Sequence, residues 1–382
     1  MGVKRDVIAG GDENGNEMVV RFRMPSGLEI IGLPTRNFYG GHWDLGPTWN
    51  YLVLADRPFL VDAGRFGQGG NLIGMIKAAG INPSDLAFVL ISHGHEDHDG
   101  GLAELVKFTR MKVKAHAVYE LLIRRYPRLA PAGPKSNFPA KCWHCFMPES
   151  FYRENCTSYH RVLHDLAVDT LGKGVEELMP GVRAFHLPGH SPDCLALLLG
   201  EEALIAGDII LPDISPWPTR EEMFDEVARV LGPAYTYPSA LFGLARYIKS
   251  LSRLRALARQ NDHMALFPGH RIYYGGRWNH VDPVLRVDEL IRHHVERCGA
   301  ILHILKHGPK TADEIALEHF NHDLLEGFGR IMAANEVVSH CELLIRSGDI
   351  VPADGKMYME AGAGNFEAFI ESLQTLASEE KM

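Results

Sequence analysis

Cysteine is scarce in this chain. Six are scattered through 382 residues (Cys142, Cys145, Cys156, Cys194, Cys298 and Cys341), which does not suit a disulfide framework. Long apolar runs are lacking too. None approaches the roughly 20 residues that span a bilayer, so no membrane partner is expected. The opening stretch, Met1 to Met18, is polar and Gly-rich, without the apolar segment of a secretory signal. Asp6 stands where a myristoylation pattern needs Ser or Thr. A cytoplasmic location is the expectation. Positive charge is also in deficit, with 39 Lys+Arg against 48 Asp+Glu. From Leu285 onward the balance is 9 against 17, whereas from Arg110 to Asp165 it is 10 against 4. Nucleic-acid affinity rests on neutralising phosphates, so the acidic C-terminal part argues against a nucleic-acid partner there.

What is present is an alternation of strands and helices, the mark of an α/β architecture. Residues 51–54 and 59–62 read as a hairpin around Ala55–Pro58. Asn71 to Ala79 reads as a helix ended by Gly80, and Leu86 to Ile91 as a buried strand. A helix follows from Gly101 to Phe108. Tyr126 to Glu149 carries five prolines (127, 131, 134, 139 and 148) and reads as an irregular insertion; residues 110–165 as a whole form a basic lid. Residues 1–283 read as one domain and 284–365 as a second. The second runs helix, helix, helix, hairpin, with Thr311 and Glu314 forming a capping box. Residues 366–382 read as a tail, frayed from about Ser372 to Met382.

The chemistry concentrates where strands end. His93-Gly94-His95-Glu96-Asp97-His98 places four imidazole or carboxylate ligands in six residues after the buried strand. Such groups suit borderline first-row metals. Alternate residues of an extended segment face the same way, so His93 and His95 share one ion, and a turn brings Asp97 and His98 to another. Two later strands run the same course: Ala203–Ala206 into Gly207-Asp208, and Met264–Phe267 into Pro268-Gly269-His270.

His-x-His-x-Asp-His resembles the signature of the metallo-β-lactamase superfamily, above all its glyoxalase II and ribonuclease Z branches. Val61-Asp62-Ala63-Gly64, Pro188-Gly189-His190-Ser191, Ala206-Gly207-Asp208 and Phe267-Pro268-Gly269-His270 resemble its remaining motifs in order. The resemblance implies a four-layer αββα sandwich and two divalent metal ions, zinc ahead of iron or manganese. It implies that His93, His95 and His190 hold the first ion, that Asp97, His98 and His270 hold the second, that Asp208 bridges them and that Asp62 supports a ligand from behind. The helix bearing His293, His294 and Arg297, with the winged-helix-like α+β domain after it, is similar to the branch around β-lactamase-like protein 2. That branch implies hydrolysis of a thioester or ester, of acyl-CoA type, by a hydroxide bridging the metals, with Asp97 as the catalytic group that orients it. A metal-dependent ribonuclease or phosphodiesterase is the alternative, and an iron-dependent sulfur oxygenase a further one.

The remaining signals concern substrate. The basic lid favours a small anionic substrate such as a CoA thioester, with Arg124 and Arg125 as its clamp. Tyr273 and Tyr274, just beyond His270, are candidates for lining the pocket. Cys142, Cys145 and Cys156 read either as thiols packed in the lid or as ligands of a further metal. The acidic winged-helix-like domain reads as a lid or homodimer element.

Overall fold

The computed structural model describes residues 2–38, 44–124, 157–172 and 174–379. The Pro-rich insertion, with Arg125, Cys142, Cys145 and Cys156, lies outside the described residues.

Two sheets face each other. The first has eight strands in sequential order: β1 (Lys4–Ala9), β2 (Val19–Arg23), β3 (Glu29–Thr35), β4 (Thr48–Leu54), β5 (Phe59–Val61), β6 (Phe88–Leu90), β7 (Lys112–His116) and β8 (Val168–Leu171). β1 to β5 pair antiparallel, and β5 to β8 run parallel. The second sheet holds β9 (Val175–Met179), β10 (Val182–His186), β11 (Leu195–Leu199), β12 (Ala203–Gly207) and β13 (Ala265–Pro268), with β12 and β13 parallel. Trp49, Tyr51, Phe59, Leu197 and Phe267 are buried between the sheets. Helices cover both outer faces. Gly69–Ala78 and Leu102–Thr109 pack on the first sheet, and Leu244–Ala258 and Pro283–Leu305 on the second. The layers are therefore α, β, β, α. Strands covered on both faces have no solvent side, which is why β11, Leu-Ala-Leu-Leu-Leu, is buried throughout.

A short hairpin, β14 (Tyr273–Tyr274) and β15 (Arg277–Trp278), follows the second sheet. The C-terminal part holds helices Pro283–Leu305, Ala312–His319 and Phe328–Ser347, with β16 (Lys310–Thr311), β17 (Ile350–Ala353) and β18 (Met357–Glu360) in one small sheet. The capping box is present: Thr311 accepts from Glu314 N–H, and Glu314 reaches back to Thr311. Two expectations need correction. Residues 366–379 are a helix, not a frayed tail; Ile370 and Leu373 are buried in the cluster that holds Leu251 and Leu254. The same cluster contains Val287, Leu290 and Ile301, so the apolar core runs unbroken across the division expected at 283/284. Among the described residues no helix is long and apolar enough to cross a membrane.

Candidate metal centre

Three strand ends meet at one rim. β6 leads through Ile91 and Ser92 into the His93–His98 segment, which turns into the short helix Glu96–Asp99. β12 ends at Gly207, just before Asp208, and β13 at Pro268, two residues before His270. Backbone bonds lock the rim. Leu195 N–H donates to Ser92 O (2.8 Å), Gly269 N–H to Gly207 O (2.7 Å) and Trp49 N–H to Gly269 O (2.7 Å). Gly269 is dictated by space, because a Cβ there would lie 2.2 Å from Asp208 Oδ1 and 2.8 Å from His98 Cε1.

All seven candidate ligands are buried. Four imidazoles are oriented from behind through Nδ1. His93 donates to Ser92 Oγ (3.0 Å), His98 to Asp62 Oδ2 (2.9 Å), His190 to Trp217 O (3.0 Å) and His270 to Pro47 O (3.1 Å). Asp62 is itself fixed, accepting Ser92 N–H (2.7 Å) and Ser92 O–H (2.8 Å). With Nδ1 committed, each ring turns Nε2 inward. Those four Nε2 atoms and Asp208 Oδ1 are buried and make no hydrogen bond of good geometry among the described residues. Buried polar atoms left this way are costly, and here they converge. Ligand atoms lie within 4.8 Å of one another in three sets: His93, His95, His190; His93, His98, Asp208; and Asp97, His98, His270. Asp208 lies 3.4 Å from His98 Nε2, 3.3 Å from His270 Nε2 and 3.8 Å from His190 Nε2. Imidazole and carboxylate donors in two adjoining sets, with Asp208 between, fit a pair of divalent cations.

The electrostatics agree with that fit. Burial works against a charge on His98, but Asp208, Asp97 and Asp62 outweigh it and hold the ring well above its ordinary range. The same contest pushes His270 up to about 9, with Asp208 and Asp97 prevailing over burial. His93 is driven well below its ordinary value by burial and by the neighbouring rings of His98 and His95. Asp97 and Asp208 stay below the usual carboxylate range, since the His98 and His270 rings overcome the burial that opposes ionisation. Asp97 Oδ2 also accepts from Asn37 Nδ2 (2.9 Å) and Thr48 Oγ1 (3.4 Å).

A cavity of about 510 Å³ opens from His95, Asp97, His190 and Asp208. Its walls come from the loop 211–217 and from the C-terminal helices, including Leu290, His293, Arg297, Met332 and Glu336. Three expected substrate contacts are absent from this lining. Arg124 spends its guanidinium on the carbonyls of His164 (2.8 Å) and Leu166 (2.9 Å) and on Glu120 (3.2 Å). Tyr273 packs on Trp278 (centroids 4.9 Å) beside the core between the sheets. Tyr274 donates to Asp44 Oδ2 (2.6 Å). Sequence reasoning missed Asn37, Thr48, Pro47 and Trp217, and it read the domain bearing His293 and Arg297 as a lid or dimer element without naming either residue as part of the pocket. The spacing 286, 290, 293, 297 on the helix Pro283–Leu305 marks one face and was a usable signal.

The family model described as the Metallo-beta-lactamase superfamily matches residues 43–270. An N-acyl homoserine lactonase of Bacillus thuringiensis subsp. kurstaki is 24% identical over 251 residues, covering 59% of this chain and 82% of that protein. Among solved structures, a metallo-beta-lactamase family protein from Thermus thermophilus superposes with a TM-score of 0.60 at 22% identity, covering 88% of this chain and 99% of the other. A beta-lactamase domain protein from Burkholderia ambifaria gives 0.60 at 19% identity, covering 92% and 94%. The family match spans more than half of the chain and every one of the clustered ligands from His93 to His270, and the chain belongs to the metallo-β-lactamase superfamily.

Proposed function

We propose that this chain is a dinuclear-metal hydrolase of a small thioester or ester with an apolar acyl arm. The observation that carries the reading is the cavity: it opens directly off the His/Asp cluster and continues between apolar side chains such as Leu211, Ile214, Trp217 and Leu290. His93, His95, His190, Asp97, His98, His270 and Asp208 would hold two divalent cations, which would supply Lewis acidity for a carbonyl and for water near neutral pH. The residues do the rest. Asp97 reaches the cavity with Oδ2 pinned by Asn37, so it orients the attacking water, takes its proton and returns it to the leaving thiolate or alkoxide. The apolar wall shields the scissile carbonyl from bulk water and aligns the arm.

A lactone is an internal ester, so the activity named for the Bacillus relatives belongs to the same bond class. RNA suits this cavity less. The cationic groups that line it, Arg286 and Arg297, are paired with Glu289 (2.9 Å) and Glu336 (2.5 Å), and strand binding needs a continuous positive track with stacking platforms. The test is turnover by metal-loaded protein on a panel of acyl thioesters, linear esters, lactones and single-stranded RNA. Acyl hydrolysis abolished by Asp97→Asn is the expected result; RNA cleavage without acyl turnover refutes the reading.

A further inference from the structure

The helix Pro283–Leu305 turns Arg286, Leu290, His293 and Arg297 toward the cavity. These positions recur every three or four residues and form one face. At 1.5 Å per residue the face runs about 16 Å from Arg286 to Arg297. Its two ends differ. Arg286 is used up near the cluster, donating to the carbonyls of Leu211 (2.8 Å) and Ile214 (3.0 Å) in the loop after Asp208. At the other end Arg297 pairs with Glu336 (2.5 Å) and lies over the Phe320 ring (4.6 Å). His293 Nε2 sits 3.8 Å from Glu336 Oε1, and it is buried with no hydrogen-bond partner among the described residues. Between the ends the wall is apolar, with Leu290 and Met332. One cavity thus joins the metal-ligating cluster, apolar side chains and a polar patch that holds His293 and Arg297.

Resting on the acyl-hydrolase reading, we infer that the arm of the substrate ends in a neutral oxygen-bearing group, such as a hydroxyl or ketone, received by His293 and Arg297 in the cavity wall. A purely apolar end would leave the buried His293 Nε2 without a hydrogen bond. A carboxylate end would face Glu336, which already neutralises Arg297, and Glu289, which also borders the cavity. A neutral acceptor satisfies the donors and adds no charge. Sites built around such donors reject analogues that lack the matching group.

The experiment is calorimetric binding to the metal-loaded full chain of unbranched carboxylic acids graded in length, each with a methyl, hydroxyl or carboxylate terminus. Turnover of the matching thioesters is measured alongside. At the length that reaches His293, the hydroxyl-terminated acid should bind roughly ten- to hundred-fold tighter than its methyl-terminated twin. His293→Phe keeps a ring of similar size and removes the nitrogen; it should shrink that ratio to about threefold or less. Arg297→Met gives the same collapse, although it leaves Glu336 buried without its cation, so His293→Phe decides the matter if Arg297→Met fails to fold. Equal binding at every length, no binding of any acid, a carboxylate preference, or a hydroxyl preference that survives His293→Phe overturns the inference. Hydroxyl discrimination without turnover of any thioester overturns the hydrolase reading alone.

Discussion

Loading the metal centre should release close to two protons per chain. His98 and His270 both sit above neutrality in the metal-free protein, drawn up against burial by Asp208 and Asp97. A ring held at about 9 is only about 1% neutral at pH 7, and Nε2 binds a cation only after losing its proton. His270 by itself makes apparent affinity for the metal pair rise roughly ten-fold between pH 7 and 8, and His98, held up in the same direction, steepens the rise. The measurement is zinc titration of chelator-stripped protein in buffers of different ionisation enthalpy, where the slope of observed heat gives the protons released. Fewer than one proton at pH 7 refutes the reasoning. The same protons stabilise the metal-free fold. A raised pKa gives stability that is complete below the ordinary 6.5 and lost as pH rises through about 9. For His270 that span is worth roughly 3 kcal/mol. Unfolding of a chain this long carries roughly 0.8 kcal/mol per kelvin, so the Tm of stripped protein should fall by about 4 °C from pH 6.5 to 9.5. Metal-loaded protein should show no such fall.

Asp62→Asn should weaken metal binding by roughly 10- to 100-fold, because the carboxylate that orients His98 is lost; competition with a chromogenic chelator measures it. Gly269→Ala should lower metal stoichiometry, since the added Cβ collides with Asp208 and His98; full metal content with unchanged Tm would refute that packing argument. Glu342 accepts from Glu221 N–H (2.6 Å) and Glu222 N–H (3.0 Å), yet burial carries its carboxyl up to about 7. Its stabilising effect is therefore complete below the ordinary 4.5 and fades as pH rises through about 7. Glu342→Gln should flatten the Tm–pH profile between pH 5 and 8, removing a slope worth roughly 2–3 kcal/mol.

The clustering of the seven candidate ligands was legible because they sit at or just beyond strand ends, and a buried strand followed by His or Asp can be read along the chain. What steadies those ligands was not legible. The carbonyls of Pro47 and Trp217 orient His270 and His190, but every residue has a carbonyl and only the fold decides where it points. Arg124 shows the opposite error. Its charge in a basic stretch suggested an anion clamp, while the guanidinium in fact ties helix Ala117–Ile123 to the carbonyls of His164 and Leu166. Tyr273 and Tyr274 stood close to His270 in sequence, but the positive φ of Arg271 (61°) turns the chain there. The helix 366–379 was mistaken for a tail because its apolar residues gain meaning only against Leu244–Ala258.

The cavity draws its lining from different stretches of the polypeptide. Every candidate metal ligand lies at or before His270, whereas the helical part of the cavity wall belongs to residues from 286 onward. On the proposed function, the metal-holding residues and the helical wall of the cavity are thus written in separate stretches of the gene. A lineage, or a protein engineer, can rewrite the inward face of one helix and change what is recognised without touching a residue that holds metal. The helix must still carry Leu290 and Ile301 in the shared core, so the freedom is confined to the few side chains that face the void. Variation among descendants of such a chain should therefore concentrate at 293, 297, 332 and 336, with the packed face beside them held nearly constant.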